Sequence, residues 1–323
     1  MNRLQQLRKM TTVVADTGDI DAIKQYMPTD ATTNPSLLYK AAQLPQYKAL
    51  VSSAVVYGKS NGQTPEEKAN LTLDKLAVNF GKEILSIIPG RVSTEVDARL
   101  SFNTEATVQK AEQLISMYKD EGVNQQRILI KIASTWEGIK AAEQLEKKGI
   151  HCNLTLLFNI AQAVAAAEAR ITLISPFVGR ILDWYKKTEG VDAYPADQDP
   201  GVVSVKSIYN YFKKFNHTTT VMGASFRNVD EIVALAGCDL LTIAPALMEE
   251  LQGSEEEMTR ALNPEASKTM DIQKIDVSES NFRWLMNEDP MATEKLADGI
   301  RNFTVDTLKL EQYIEDTAEH RAA

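Results

Sequence analysis

Lys131 stands between Ile130 and Ile132 in the apolar run ILIKIAS, residues 128–134. An unpaired ammonium is costly to take out of water, so a lysine in such a run either pairs with an anion or sheds its proton. A neutral amine attacks carbonyls, and the chemistry of a desolvated lysine is Schiff-base formation. That chemistry needs groups that move protons during carbinolamine dehydration, bond cleavage and imine hydrolysis. Asp16 in VVADTG and Glu95 in STEVDAR suit that work, and the same two carboxylates would compensate the lysine's charge.

Further polar residues occupy comparable places: Thr32 and Asn34 in ATTNPS, Asn153 and Thr155 in CNLTLLF, Ser175 in LISPFVGR and Ser225 in GASFR. One buried polar residue is readily satisfied by backbone, but a series of them at strand ends points to a shared cavity. Arg180 closes the sixth apolar run and Arg227 follows the seventh. Two guanidinium groups beside Ser225 fit the dianionic phosphate of a sugar phosphate through charge-assisted hydrogen bonds. The residues offer no metal set: His151, His217 and His320 are scattered, and HExxH and DxDxDG are absent. A P-loop, a GxSxG elbow and a GxGxxG fingerprint are missing too, and no cofactor is expected.

These groups need a scaffold that gathers strand ends. Eight compact apolar runs supply it: residues 13–18, 30–36, 84–96, 127–134, 152–158, 171–180, 219–226 and 240–247. Helical patterns separate them. After the fourth run Ser134 and Glu137 read as a capping box, Ile139, Ala142 and Leu145 share a face, and Gly149 stops the helix. After the seventh, Asn228 and Glu231 open a helix that carries Ile232 and Leu235 and ends by Gly237. Strand–helix alternation without a dinucleotide fingerprint predicts an α/β fold, a (β/α)8 TIM barrel over 1–323 as a single domain. Within RILIKIAS, alternation turns Leu129, Lys131 and Ala133 inward and the three isoleucines toward the outer helices. Three additions exceed the minimal repeat: helices between the second and third runs, a polar loop at 186–200, and a C-terminal helical segment. In the last, Leu296, Ile300, Phe303 and Leu310 fall at helical spacing, which predicts an amphipathic helix covering the barrel wall.

Composition narrows the partners. The 323 residues are 44% hydrophobic and 24% charged, as in a soluble globular protein. A net charge of -9 repels nucleic acid and anionic membranes. Cys152 and Cys238 lie far apart outside any metal or disulfide pattern and read as core residues. The uncharged stretch from Gly149 to Ala167 divides into a strand and a helix, so no membrane segment is expected. The opening MNRLQQLRKMTT carries no signal-like apolar stretch, and a cytoplasmic address is expected.

The motifs as they stand resemble one family, the class I transaldolases of the long bacterial and eukaryotic type, over nearly the whole chain. The resemblance is carried by TTVVADTGD, DATTNPSL, GRVSTEVDARLS, ILIKIASTWEGI, CNLTLLF, ISPFVGRILDWY, DPGVVSV and VMGASFRN. It implies a metal-independent barrel of the non-oxidative pentose phosphate pathway. Such an enzyme transfers a dihydroxyacetone unit from sedoheptulose 7-phosphate or fructose 6-phosphate to glyceraldehyde 3-phosphate or erythrose 4-phosphate. By motif matching, Lys131 is the Schiff-base lysine, Asp16 and Glu95 are acid/base groups, and Thr155 places a water beside Glu95. Asn34, Asn153 and Ser175 would hold dihydroxyacetone hydroxyls, Thr33 would border the pocket, and Arg180, Ser225 and Arg227 would hold phosphate. Related enzymes are often dimers, so the resemblance allows a homodimer. The chain departs from the pattern at NIAQA, where Asn159 and Ile160 replace a serine and an aromatic. Phe177 stands where related sugar-phosphate aldolases carry a tyrosine, which favours transfer over release of dihydroxyacetone to water.

Overall fold

The computed structural model describes residues 1–319. Eight parallel strands close into a barrel in sequential order: β1 (Thr12–Asp16), β2 (Asp30–Thr32), β3 (Val92–Glu95), β4 (Ile128–Ala133), β5 (Cys152–Leu157), β6 (Leu173–Pro176), β7 (Thr220–Gly223) and β8 (Leu240–Ile243), with β8 pairing back onto β1. Helices α1 (Arg3–Leu7) and α2 (Ile20–Tyr26) flank β1, and α3 (Pro35–Ala42), α4 (Lys48–Asn61) and α5 (Pro65–Leu85) fill the β2–β3 connection. Helices α6 (Thr104–Asp120), α7 (Trp136–Lys147) and α8 (Ile160–Glu168) follow β3, β4 and β5 in turn. Then α9 (Gly179–Glu189) and α10 (Pro200–Lys214) follow β6, and α11 (Val229–Ala234) follows β7. Four helices come after β8: α12 (Pro245–Gly253), α13 (Pro264–Thr269), α14 (Glu279–Glu288) and α15 (Pro290–Glu319). This is the expected (β/α)8 barrel with added helices.

Alternation along the strands builds two cores. Val14, Leu129, Leu173, Met222 and Leu240 meet inside the barrel as its apolar floor, while Ile128, Ile130 and Ile132 join the larger core beneath the helices. Both cysteines are buried and unpaired. Among the described residues no helix is long and apolar enough to cross a membrane.

Four local expectations are corrected. Ile84 and Leu85 end α5 instead of opening a strand. The cap of α7 is Thr135, whose hydroxyl accepts from Gly138 N at 2.9 Å, because the Ser134 hydroxyl donates to Thr155 O at 2.7 Å instead. Helix α9 continues to Glu189, which shortens the polar loop. The largest correction concerns α15, which lies across the carboxyl face of the barrel and not along its wall. It packs against α3, α9, β5 and the turn after β3, all at that face. Polar ties hold it there: Tyr313 Oη donates to Ala42 O at 3.0 Å, Trp184 Nε1 to Glu294 Oε2 at 2.6 Å, and Arg99 Nη2 to Glu311 Oε1 at 2.8 Å. Spacing shows which face of a helix is apolar; it does not show what covers that face.

Candidate functional site

Strand register lines up the first three residues. Glu95 on β3 is the Cα partner of Lys131 on β4, and Lys131 is the partner of Asn153 on β5. Neighbouring parallel strands run about 4.8 Å apart, and partners in register project to the same side. Lys131 Nζ therefore comes within 3.3 Å of Glu95 Oε2, with both side chains almost fully buried. That contact is at ion-pair distance but off the hydrogen-bond direction, and Glu95 Oε2 finds no hydrogen-bond partner among the described residues. The lysine donates instead to the backbone carbonyl of Thr33 at 3.2 Å.

Asp16, last in β1, pairs in register with Thr32, whose hydroxyl donates to Asp16 Oδ1 at 3.1 Å and lies 3.0 Å from Thr242 Oγ1. Burial pushes both the Asp16 and the Glu95 carboxyls above the usual carboxylate range, against the opposing pull of Lys131 and, more weakly, Arg180. A carboxyl with raised proton affinity suits proton exchange near neutrality.

A hydrogen-bond chain continues around the barrel. Ser175 Oγ donates to Asn153 Oδ1 at 2.5 Å, and Asn153 Nδ2 donates to Ser93 Oγ at 3.0 Å. Thr155 Oγ1 is buried with no hydrogen-bond partner among the described residues and faces the same small cavity. That cavity, of about 50 Å³, is bordered by Asp16, Asn34, Lys131, Thr155, Ser175, Phe177, Arg180 and Ser225, with Phe303 of α15 over it. Asn34 also caps α3, its Oδ1 accepting from Leu37 N at 2.9 Å, and its amide NH2 has no hydrogen bond among the described residues.

The arginines differ from one another. Arg180 does not end β6; it sits in the first turn of α9, whose N-cap residue Val178 offers no side-chain cap. Its guanidinium lies 4.8 Å from the Phe177 ring centroid and 5.4 Å from that of Phe303, without a hydrogen bond or ion pair among the described residues. Arg227 is more exposed and is already engaged, with Nη2 2.8 Å from Asp183 Oδ2 and Nη1 3.3 Å from Ser225 Oγ. Gly179 lets these segments meet. A Cβ there would fall 2.5 Å from Arg227 Cγ and 2.6 Å from Ser225 O, while the glycine N donates to that same carbonyl at 2.8 Å. Ser225 itself holds a left-handed φ of 61°.

Of the expected site residues, Glu95, Asn153 and Arg227 do not line the small cavity, and Thr33 turns its side chain elsewhere. Its hydroxyl donates to Ser93 O at 2.9 Å, and only its carbonyl reaches the site. Ser93, Thr242, Gln162 and Phe303 were not foreseen. Ser93 and Thr242 carried the same signal as the others, a hydroxyl inside an apolar strand. Gln162 is the one polar residue within the run IAQAVAAA. It is fully buried, accepts from Phe158 N at 2.7 Å and Asn159 N at 3.2 Å, and donates to Ser134 O at 2.9 Å and Leu156 O at 3.1 Å. Asn159, the point of departure from the family pattern, caps α8 by accepting from Gln162 N at 3.1 Å. Among the described residues no group of three or more His, Cys, Asp or Glu could hold a metal ion.

Comparison with known proteins agrees with this geometry. Residues 13–314 match the family model described as transaldolase/fructose-6-phosphate aldolase. A protein named transaldolase from Alteromonas mediterranea is 61% identical over 316 residues, covering 98% of each chain. A probable transaldolase from Drosophila melanogaster is 60% identical over 98% of this chain and 96% of its own. The transaldolase of Vibrio parahaemolyticus is 59% identical over 97% of this chain and 98% of its own. With a match from β1 into α15 and relatives of such identity end to end, the chain belongs to the transaldolase/fructose-6-phosphate aldolase family.

Proposed function

We propose that the protein is a transaldolase that carries a dihydroxyacetone unit from a ketose phosphate to an aldose phosphate on Lys131. The observation that carries this reading is the register row Glu95–Lys131–Asn153, which sets an amine 3.3 Å from a buried carboxyl beside the polar cavity. In this reading Lys131 Nζ attacks C2 of the ketose, and the C2 hydroxyl of the carbinolamine leaves as water on taking a proton from Glu95. Thr155, with its hydroxyl unengaged among the described residues, holds that water. Asp16 then accepts the proton of the C4 hydroxyl as the C3–C4 bond breaks, which frees the first aldose and leaves an enamine on the lysine. A second aldehyde is attacked by the enamine, Asp16 returns its proton to the new alkoxide, and hydrolysis of the imine restores the amine. Asn34, Asn153 and Ser175 hold the hydroxyls of the three-carbon unit; Arg180, Ser225 and Arg227 hold phosphate.

The family description also covers an aldolase, which releases dihydroxyacetone instead of passing it on. The Phe177 ring, buried edge-on to Phe158 at 5.5 Å, has no hydroxyl to orient a water or protonate the enamine, and so it supports transfer. Phe177→Tyr is expected to raise cleavage relative to transfer, measured as the ratio of dihydroxyacetone released to sedoheptulose phosphate formed. All eight strands lie in one sheet, which supports a single-domain chain. A cytoplasmic address and a homodimer accompany the reading through the family resemblance. The decisive experiment is incubation with fructose 6-phosphate and borohydride, then peptide mass mapping. A reduced adduct on Lys131 is expected, and its absence would remove the Schiff-base mechanism.

A further inference from the structure

A second cavity, of about 420 Å³, lies behind the site between α3, α5, α6 and α15. It borders none of the residues that line the small cavity, and the wall between the two is thin. Lys131 lines one and Glu95 the other, with Nζ and Oε2 only 3.3 Å apart. The wall continues through Asn34 and Pro35, consecutive in the chain, and through Phe303 and Thr307, one helical turn apart, the first of each pair lining the small cavity and the second the large one. Along the larger cavity, exposure rises from Glu95, whose side chain is 4% exposed, to Glu66 and Glu315 at the surface. The wall is polar enough to hold water, and the volume accommodates on the order of ten molecules at the density of the liquid.

Resting on the Schiff-base reading above, we propose that this cavity is the path by which the water of imine formation leaves and the water of imine hydrolysis enters, with Glu95 as the gate. Each half-reaction converts a carbinolamine and a proton from Glu95 into an iminium and one water; each release adds one water to the iminium and returns a proton to the Glu95 carboxylate. The atoms balance without any further reactant. During these steps the sugar phosphate occupies the small cavity, which Phe303 and Arg180 help to line, so the substrate itself blocks the front route. The departing oxygen is bonded to the carbon that Lys131 Nζ holds; Glu95, which donates its proton to that oxygen, lines the larger cavity, and its Oε2 is buried and free of hydrogen bonds among the described residues.

The test uses fructose 6-phosphate labelled with oxygen-18 at C2, erythrose 4-phosphate as acceptor so that the product ketose is sedoheptulose 7-phosphate, and the full chain in ordinary water. The readout is the label retained at C2 of the product ketose, corrected for spontaneous exchange. In the unaltered protein the released water escapes, and retention is near zero. Ala77→Leu narrows the cavity from α5, and Ala69→Phe, at a half-buried position toward its outer end, keeps the test open if the first variant folds poorly. Both variants are expected to raise retention severalfold and lower kcat, while borohydride still traps the Lys131 adduct. Trapping with retention unchanged in the folded variants overturns this proposal alone; no adduct in the unaltered protein overturns the Schiff-base reading and the proposal with it.

Discussion

At the scale of the residue, the two arginines assigned to phosphate are unequal. Asp183 already neutralises Arg227, whereas Arg180 lies over the Phe177 and Phe303 rings with no hydrogen bond among the described residues. A charge-assisted hydrogen bond contributes about 1.5–3 kcal/mol, so Arg180→Ala should raise KM for a phosphorylated acceptor roughly ten- to a hundredfold. Arg227→Ala should raise it less, and neither variant should change KM for an unphosphorylated acceptor as much. Arg180 also favours the ionised forms of Asp16 and Glu95. Without it both carboxyls hold their protons to higher pH, and with Asp16 as the proposed base, the acid limb of the kcat/KM profile should move upward. A limb that stays in place, with KM raised, would confine Arg180 to phosphate binding.

At the scale of the element, the carboxyl end of β5 is shaped by more than its own sequence. The register with β6 shifts between Leu154 and Leu157, and Leu156 adopts a left-handed φ of 52°. For a bulky residue that conformation is strained and persists only when its surroundings hold it. Gln162 does so by bonding four backbone groups from β5, the turn after it and the end of β4. Gln162→Leu keeps the volume but leaves several buried groups unpaired, at about 1–3 kcal/mol each. The expected result is a clear loss of stability in chemical denaturation, and a fall in kcat with KM little changed, because Thr155 sits on the loosened strand end. The sequence signalled that Gln162 was unusual, a lone amide among alanines, without revealing its partners on two strands.

At the scale of the whole molecule, folding responds to buried carboxyls outside the site. Glu231 is 1% exposed, and burial, reinforced by Asp199, pushes its carboxyl from 4.5 up to about 7 although it accepts a hydrogen bond from Arg227 N. The native carboxyl thus keeps a proton that the unfolded chain has lost. Stability on this account is fully present below pH 4.5, falls as pH rises to about 7, and levels beyond. Glu231→Gln should flatten that part of the Tm–pH curve and raise Tm on its alkaline side. An equal slope in both proteins would show that the pH dependence originates elsewhere.

The same scale shows what reading the chain alone could supply. The strand positions of Asp16, Glu95, Lys131, Asn153, Thr155 and Ser175 were legible because strand periodicity fixes which way a side chain points, and a polar group on the inner side has few destinations in a barrel. Arg180 was misplaced onto a strand because α9 starts without a capping side chain, so nothing local marks the boundary. The position of α15 and the wall between the two cavities depend on packing among segments far apart in sequence, which periodicity does not encode.

The order of the strands also divides the labour along the chain. The ionisable groups of the proposed chemistry, Asp16, Glu95 and Lys131, all belong to β1, β3 and β4, whereas the proposed phosphate grip of Arg180, Ser225 and Arg227 follows β6 and β7. Nucleophile and proton carriers are thus inherited as one contiguous half-barrel, and recognition of the anionic end as another. Recombination between related genes in the stretch joining β4 to β5 would exchange the grip while leaving the reacting groups together.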